Sequence, residues 1–175
     1  AMTPQREEYA DIDIPVLAVT GYFDGGRVGV QHYYDQHTRY NPQADHTLVF
    51  GPFGHLAINQ GVTRHIEGYD VDQAALVDLQ ALRYEWFNHV FKGAPKPELL
   101  MDKVNYQVMG GNEWKHAPTL PAMGNGKMRF YLQPGNDGKQ GLLASDAPAN
   151  KAFQIQRVDF ADRSGADWAP AALVV

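Results

Sequence analysis

Thr20-Gly21-Tyr22-Phe23-Asp24-Gly25-Gly26 and Phe50-Gly51-Pro52-Phe53-Gly54-His55 are the two stretches that decide how this chain is read. Each closes an apolar run, Ile14 to Val19 before the first and Thr47 to Phe50 before the second. Neither run alternates with polar residues, which suits strands buried on both faces of a parallel sheet. Between them, Val28 to Tyr40 reads as a helix, with Pro42 just past its end. Gly25 and Gly26 permit a sharp turn after the first run. The order is strand, helix, strand, with a polar residue just beyond each strand. In open α/β sheets chemistry sits beyond the carboxyl ends of the strands. Asp24 and His55 are therefore placed where a carboxylate and an imidazole can meet.

That pair is two thirds of a nucleophilic hydrolase triad. The carboxylate holds the imidazole in one tautomer, and the imidazole shuttles the proton of a nucleophile. Acid before histidine is the chain order of α/β-hydrolases, in which the nucleophile comes first of all. The nucleophile is thus expected upstream, where almost no sequence lies. Only two serines occur, Ser145 and Ser164, both downstream; cysteine and Gly-x-Ser-x-Gly are absent. Each motif also has a plainer reading: Asp-Gly after a strand is a common turn, and a Gly-x-x-Gly-His loop can simply carry a solvated histidine.

Outward from these stretches, the segment from Gly51 to about Val71 reads as a long glycine-punctuated loop, a kind that is often functional. From Asp72 to Lys92 the period is helical, with Ala75, Leu76, Leu79, Leu82, Trp86, Phe87, Val90 and Phe91 at spacings of three and four. Asp72 is the expected N-cap and Gly93 the expected stop. The aromatic stripe reads as core, and His89 as structural or solvated. Ala94-Pro95-Lys96-Pro97-Glu98 reads as a stiff linker. Beyond it the period becomes two, in runs around Val104 to Met109, Lys127 to Pro134 and Phe153 to Phe160. That pattern suits an antiparallel sandwich or jelly roll. Trp114 is expected to anchor its core, or with Asn112 and Glu113 to line a groove. The expected organisation is α/β over residues 1–97 followed by all-β over 98–175, a truncated sandwich of some three or four strands where a jelly roll takes about eight.

The chain has 175 residues, a formal charge of −5, and 44% hydrophobic residues. That is enough apolar content for a core. With no Lys/Arg cluster, nucleic acid and anionic membranes are poor partners. No apolar run approaches the roughly 20 residues of a membrane span, and no signal-peptide pattern opens the sequence. No metal-ligand spacing such as His-Glu-x-x-His is present. Gly21 to Gly26 is not Gly-x-Gly-x-x-Gly, so no cofactor is expected.

The two opening stretches join two further ones, Glu85-Trp86-Phe87-Asn88-His89-Val90-Phe91-Lys92-Gly93 and Tyr106-Gln107-Val108-Met109-Gly110-Gly111-Asn112-Glu113-Trp114. In that order they resemble the family of cocaine esterase, X-prolyl dipeptidyl peptidases, α-amino acid ester hydrolases and glutaryl-7-aminocephalosporanic acid acylase. The resemblance runs from about Ile14 to Trp114 and more weakly to the end. It implies an α/β-hydrolase domain joined to a β jelly roll. It also implies that Asp24 is the triad acid and His55 the triad base. The nucleophilic serine and an oxyanion-hole tyrosine belong to an N-terminal half not included here. In the α-amino acid ester hydrolases, carboxylates two and three positions after the triad acid pair with a substrate ammonium. Gly26 and Arg27 stand there instead, which implies substrate contacts without a required α-amino group and tolerance of an acidic acyl chain such as glutaryl.

Two functions from different classes are expected to compete. One is part of a serine hydrolase acting on a small-molecule ester or amide, inactive as this chain alone. The other is a non-catalytic binding or structural module with a relic Asp/His pair. In either case a parallel sheet with an open edge should pair with the missing N-terminal half or with a second copy, as a homo-oligomer.

Overall fold

The structure is a computed structural model that describes residues 3–135, 141–149 and 159–162. It contains two compact units, residues 1–125 and 126–175.

The first unit opens with a 3-10 helix at Arg6–Asp11 and then builds β1 (Val16–Phe23), α1 (Arg27–Tyr40) and β2 (His46–Gly54). The two strands are neighbours and parallel, with Val16 opposite His46 and Gly21 opposite Gly51, as the two apolar runs require. The chain continues through α2 (Ala57–Gln60), the two-residue strands β3 (His65–Ile66) and β4 (Tyr69–Asp70), and a 3-10 turn at Gln73–Ala75. The long helix α3 (Leu79–Lys92) follows, and then β5 (Val104–Val108) and β6 (Glu113–Ala117). The main sheet has the order β1-β2-β5-β6, with β5 parallel to β2 and β6 antiparallel to β5.

Strand β2 shows why an unalternating run was needed. Leu48 and Phe50 face α1 and pack with Tyr34, Val104 and Ala117, while Val49 and Phe53 face α3 and pack with Leu79, Leu82, Trp86 and Leu100. All of these are buried. Each large apolar side chain so buried contributes about 1.5–3 kcal/mol. One helix thus covers each face of the sheet.

Three expectations are corrected. The helix does not begin at Asp72. Asp78 caps it, accepting from the amides of Gln80 and Ala81 at 3.0 and 2.9 Å. Asp72 Oδ2 instead accepts from Tyr69, Gln107 Nε2 and the Gly110 amide, which turns the carboxylate towards β4 and β5 and away from the start of α3. The expected stop does hold: Gly93 is left-handed at φ 68°. The aromatic stripe is also only partly core. Trp86 is buried, but Phe87 and Phe91 stack on each other on the exposed side.

The third correction concerns Val104–Val108, which joins the first sheet rather than opening a second piece. Its alternation misleads because its polar residues are buried too. Asn105 is fully buried, with its amide bonded to Leu48, Asp102 and His116. Gln107 is likewise buried, and its Nε2 donates to Asp72 and to the Val108 carbonyl, while its Oε1 is left without a partner. Buried amides that find partners cost little, so a strand covered on both faces can carry them. The proline stretch after α3 therefore lies inside the first unit. Trp114 is an anchor, but of this sheet: its indole N–H donates to the Ala74 carbonyl at 2.7 Å.

Among its described residues the second unit has an antiparallel ladder, β7 (Tyr131–Pro134) with β8 (Gly141–Ala144). The molecule is thus a mixed sheet with helices, followed by antiparallel β. The run that begins at Phe153 lies outside the described residues, apart from Asp159 and Phe160.

Candidate functional site

The site is made where β1 and β2 end side by side. Gly21 lets the strands come this close, and Gly51 makes room within β2 for the Phe53 ring. A β-carbon on Gly21 would stand 1.9 Å from the Phe53 carbonyl oxygen, and one on Gly51 would stand 2.3 Å from the Phe53 ring. The pairing slips between Gly21 and Phe23, so that Phe23 stands opposite Gly54. That slip brings the residue after each strand, Asp24 and His55, to the same place.

His55 Nδ1 lies 2.9 Å from Asp24 Oδ1. The Asp24 carboxylate is also gripped by its own turn, accepting from the Gly26 amide at 2.7 Å and from the Thr20 hydroxyl at 3.3 Å. Burial pushes its pKa up. The bonds from His55 and Gly26, the charge of the imidazole and the bond from Thr20 outweigh that, so the carboxyl lies below its ordinary value. The acid side chain is 12% exposed and the imidazole 73%. A carboxylate can only accept, so the neutral imidazole carries its proton on Nδ1. Nε2 is then a bare base facing solvent, with no hydrogen-bond partner among the described residues. Val19, Phe53, Ala57, Ile58 and Leu79 form an apolar wall beside the pair. This arrangement can accept a proton at Nε2 and hold the resulting imidazolium against a fixed carboxylate.

The other sequence candidates fall differently. Gly26 touches Asp24 rather than open space: its amide holds the carboxylate, and a β-carbon there would stand 3.1 Å from Oδ1. Arg27 opens α1, and its Nε is buried with no hydrogen-bond partner. Its charge acts on Tyr22, whose pKa is nonetheless pushed up to about 12 by burial and by Tyr106, with Arg27 opposing. No hydrogen bond or ion pair joins the Arg27 side chain to Asp24 or His55 among the described residues. Ser145 is an exposed residue just past β8, in the second unit, and Ser164 lies outside the described residues.

Thr20 was not singled out, although it lies in the stretch that was; a hydroxyl four residues before the acid on the same strand was the available signal. A second acid–histidine pair, His65 with Asp70 at 2.8 Å, joins β3 and β4, but its side chains are 63% and 96% exposed. Solvent competes for both, so that pair holds a hairpin weakly and prepares no chemistry. No cluster of three or more metal-ligating side chains occurs among the described residues.

No protein-family model matches the sequence. No curated protein matches it either. Among solved structures, the chain is similar in fold to an aminopeptidase from the marine sediment archaeon Thaumarchaeota archaeon, with a TM-score of 0.59 and 24% identity. The match covers 79% of this chain and 22% of the aminopeptidase, so the chain spans about a fifth of the length of that protein.

Proposed function

We propose that this chain supplies the acid and the histidine of a serine hydrolase whose nucleophile lies in polypeptide outside the sequence given. The carrying observation is the 2.9 Å contact of His55 Nδ1 with a carboxylate that its own turn holds in place, with Nε2 left free. The likeness in fold to an aminopeptidase supports a hydrolase frame.

In this reading His55 Nε2 removes the proton of the attacking serine hydroxyl. Asp24 keeps the ring oriented and stabilises the imidazolium. The same nitrogen then returns the proton to the leaving alcohol or amine, and a water repeats the sequence on the acyl-enzyme. The substrate is an ester, an amide or an X-Pro-type peptide. The cation at Arg27, with no carboxylate at Gly26, disfavours a substrate ammonium and tolerates an acidic acyl chain. The preceding part of the same enzyme, or a second copy of the chain in a homo-oligomer, completes the sheet at the free edge of β1. The ladder of β7 and β8 belongs to a jelly-roll-like domain. No cofactor or metal takes part.

The test is to extend the reading frame upstream and treat the product with a fluorophosphonate. Labelling of one upstream serine, lost together with activity in His55→Ala, is the expected result. No labelling would return the pair to the status of a relic in a binding module. The present chain alone should show no serine-hydrolase turnover. Stoichiometric labelling of Ser145 or Ser164 that His55→Ala abolishes would put the nucleophile within this chain and overturn the proposal.

A further inference from the structure

A second pair of polar side chains, unconnected with the site, lies where the N-terminal segment meets the rest of the first unit. His37 of α1 and His46 at the start of β2 are both buried. Their Nδ1 atoms stand 3.0 Å apart. The backbone decides which ring carries which proton. His37 Nε2 is 3.0 Å from the Ile12 carbonyl, which only accepts, so Nε2 is protonated and Nδ1 is bare. His46 Nδ1 must then donate, which leaves its Nε2 as a bare nitrogen, buried and without a partner.

The same contacts hold the N-terminal segment down. Asn41 Nδ2 donates to the Ile12 carbonyl at 3.1 Å. Tyr9, buried in the 3-10 helix Arg6–Asp11, packs edge-on against Tyr33. Tyr33 in turn packs edge-on against both imidazoles. The segment therefore rests on the imidazole pair and the ring beside it.

This arrangement accommodates no added proton. A proton on His46 Nε2 makes a buried imidazolium with no acceptor. A proton on His37 Nδ1 removes the acceptor and sets two N–H groups against each other. The groups facing the pair offer no anion: Tyr9 from the 3-10 helix, Tyr33 and Tyr34 from α1, and Lys103 from the turn before β5. Neither ring forms an ion pair among the described residues. A buried imidazolium without an anion is strongly disfavoured.

We propose that the His37–His46 pair is an acid-sensitive latch: neutral, it docks Arg6–Ile12 on α1 and the start of β2, and protonated, it releases that segment. Burial first, then His37 and Lys103, press the His46 pKa from 6.5 down to about 4 in the docked state. A released His46 titrates near its ordinary value of about 6.5. The docked form is thus favoured fully above about pH 6.5 and loses its advantage as pH falls towards about 4. By proton linkage the ratio of released to docked forms should be about 30 times larger at pH 5 than at pH 8.

The experiment is amide hydrogen exchange on the whole chain between pH 8 and pH 5, corrected for intrinsic rates. Protection of residues 5–13 should fall by about that factor while the amides of α3 hold. His46→Gln keeps a donor for His37 Nδ1 but cannot titrate, and it should flatten the profile. Nitrogen NMR of the imidazoles in the unsubstituted chain gives a readout that no variant can spoil. Release should coincide with protonation of His46, starting from the Nε2–H form of His37 and the Nδ1–H form of His46. Constant protection of 5–13 in the parent, an unchanged profile in His46→Gln, or loss of protection in α3 at the same pH would each overturn the latch.

Discussion

Gly21→Ala should cripple the first unit, and Gly25→Ala, four residues away, should not. The added methyl at position 21 meets the Phe53 carbonyl oxygen at 1.9 Å, its carbon at 2.5 Å and the Phe53 β-carbon at 2.7 Å. Two of the three obstructing atoms are backbone, so no side-chain rotation relieves the clash. Real β-carbons essentially never approach closer than 3.0 Å, so β1 and β2 must separate locally by about 1 Å. That shift breaks ladder bonds around the Thr20–Phe50 and Gly21–Gly51 pairs, each worth about 1 kcal/mol. Overpacking strain adds about 1–3 kcal/mol more. The expected loss is about 3–5 kcal/mol, a large part of the roughly 5–15 kcal/mol that folded domains have. At position 25 a β-carbon meets nothing within 4 Å, so the control should stay within about 0.5 kcal/mol of the parent. Urea unfolding followed by the fluorescence of Trp86 and Trp114 reads the difference. With a slope of about 1.5 kcal/mol/M, the Gly21→Ala midpoint should fall by about 2–3 M. Equal midpoints for the two variants would show that Gly21 does not set the strand spacing.

Asp24→Asn should keep the fold. Because the carboxyl is held below its ordinary pKa, its stabilisation is complete above that ordinary value and is lost as pH falls through the lower folded one. Urea midpoints of parent and variant should therefore converge only in strong acid, and a constant gap would show that the carboxylate charge is not what holds the turn. Under the proposed serine-hydrolase reading, the same substitution in the longer protein should lower turnover by about 10⁴. Trp114→Phe removes the indole donor from Ala74 and should cost about 1–2 kcal/mol, seen as a drop in melting temperature. Asp78→Ala leaves two amides of α3 uncapped and should cost about 0.5–2 kcal/mol, whereas loss of Asp72 should leave the helix start in place, as amide exchange over Leu79 to Arg83 would show.

Much of the first unit was legible in the sequence because its signals are local. Runs without alternation can be stable only where both faces are covered, so Val16 to Val19 and Thr47 to Phe50 announced a parallel pair. Gly93 announced the end of α3 because a left-handed residue is needed there. The adjacency of Asp24 and His55 was legible too, since parallel neighbours joined by a helix bring their carboxyl ends together. What tertiary structure alone decided is where polar side chains find partners. Asp72 and Asp78 look alike as caps, and only the folded position of Tyr69, Gln107 and Gly110 takes Asp72 away from the helix. Val104 to Val108 alternates like a half-exposed strand, yet Asn105 and Gln107 are buried because the fold supplies acceptors for their amide N–H groups. The close contact of Gly21 with Phe53, and the bond from Ile12 that sets the tautomers of His37 and His46, join residues 25 to 32 positions apart in the chain. Hydrophobic periodicity reports how a segment is covered. It carries no information on which distant donor meets which acceptor, because that depends on distances that exist only after the sheet has formed.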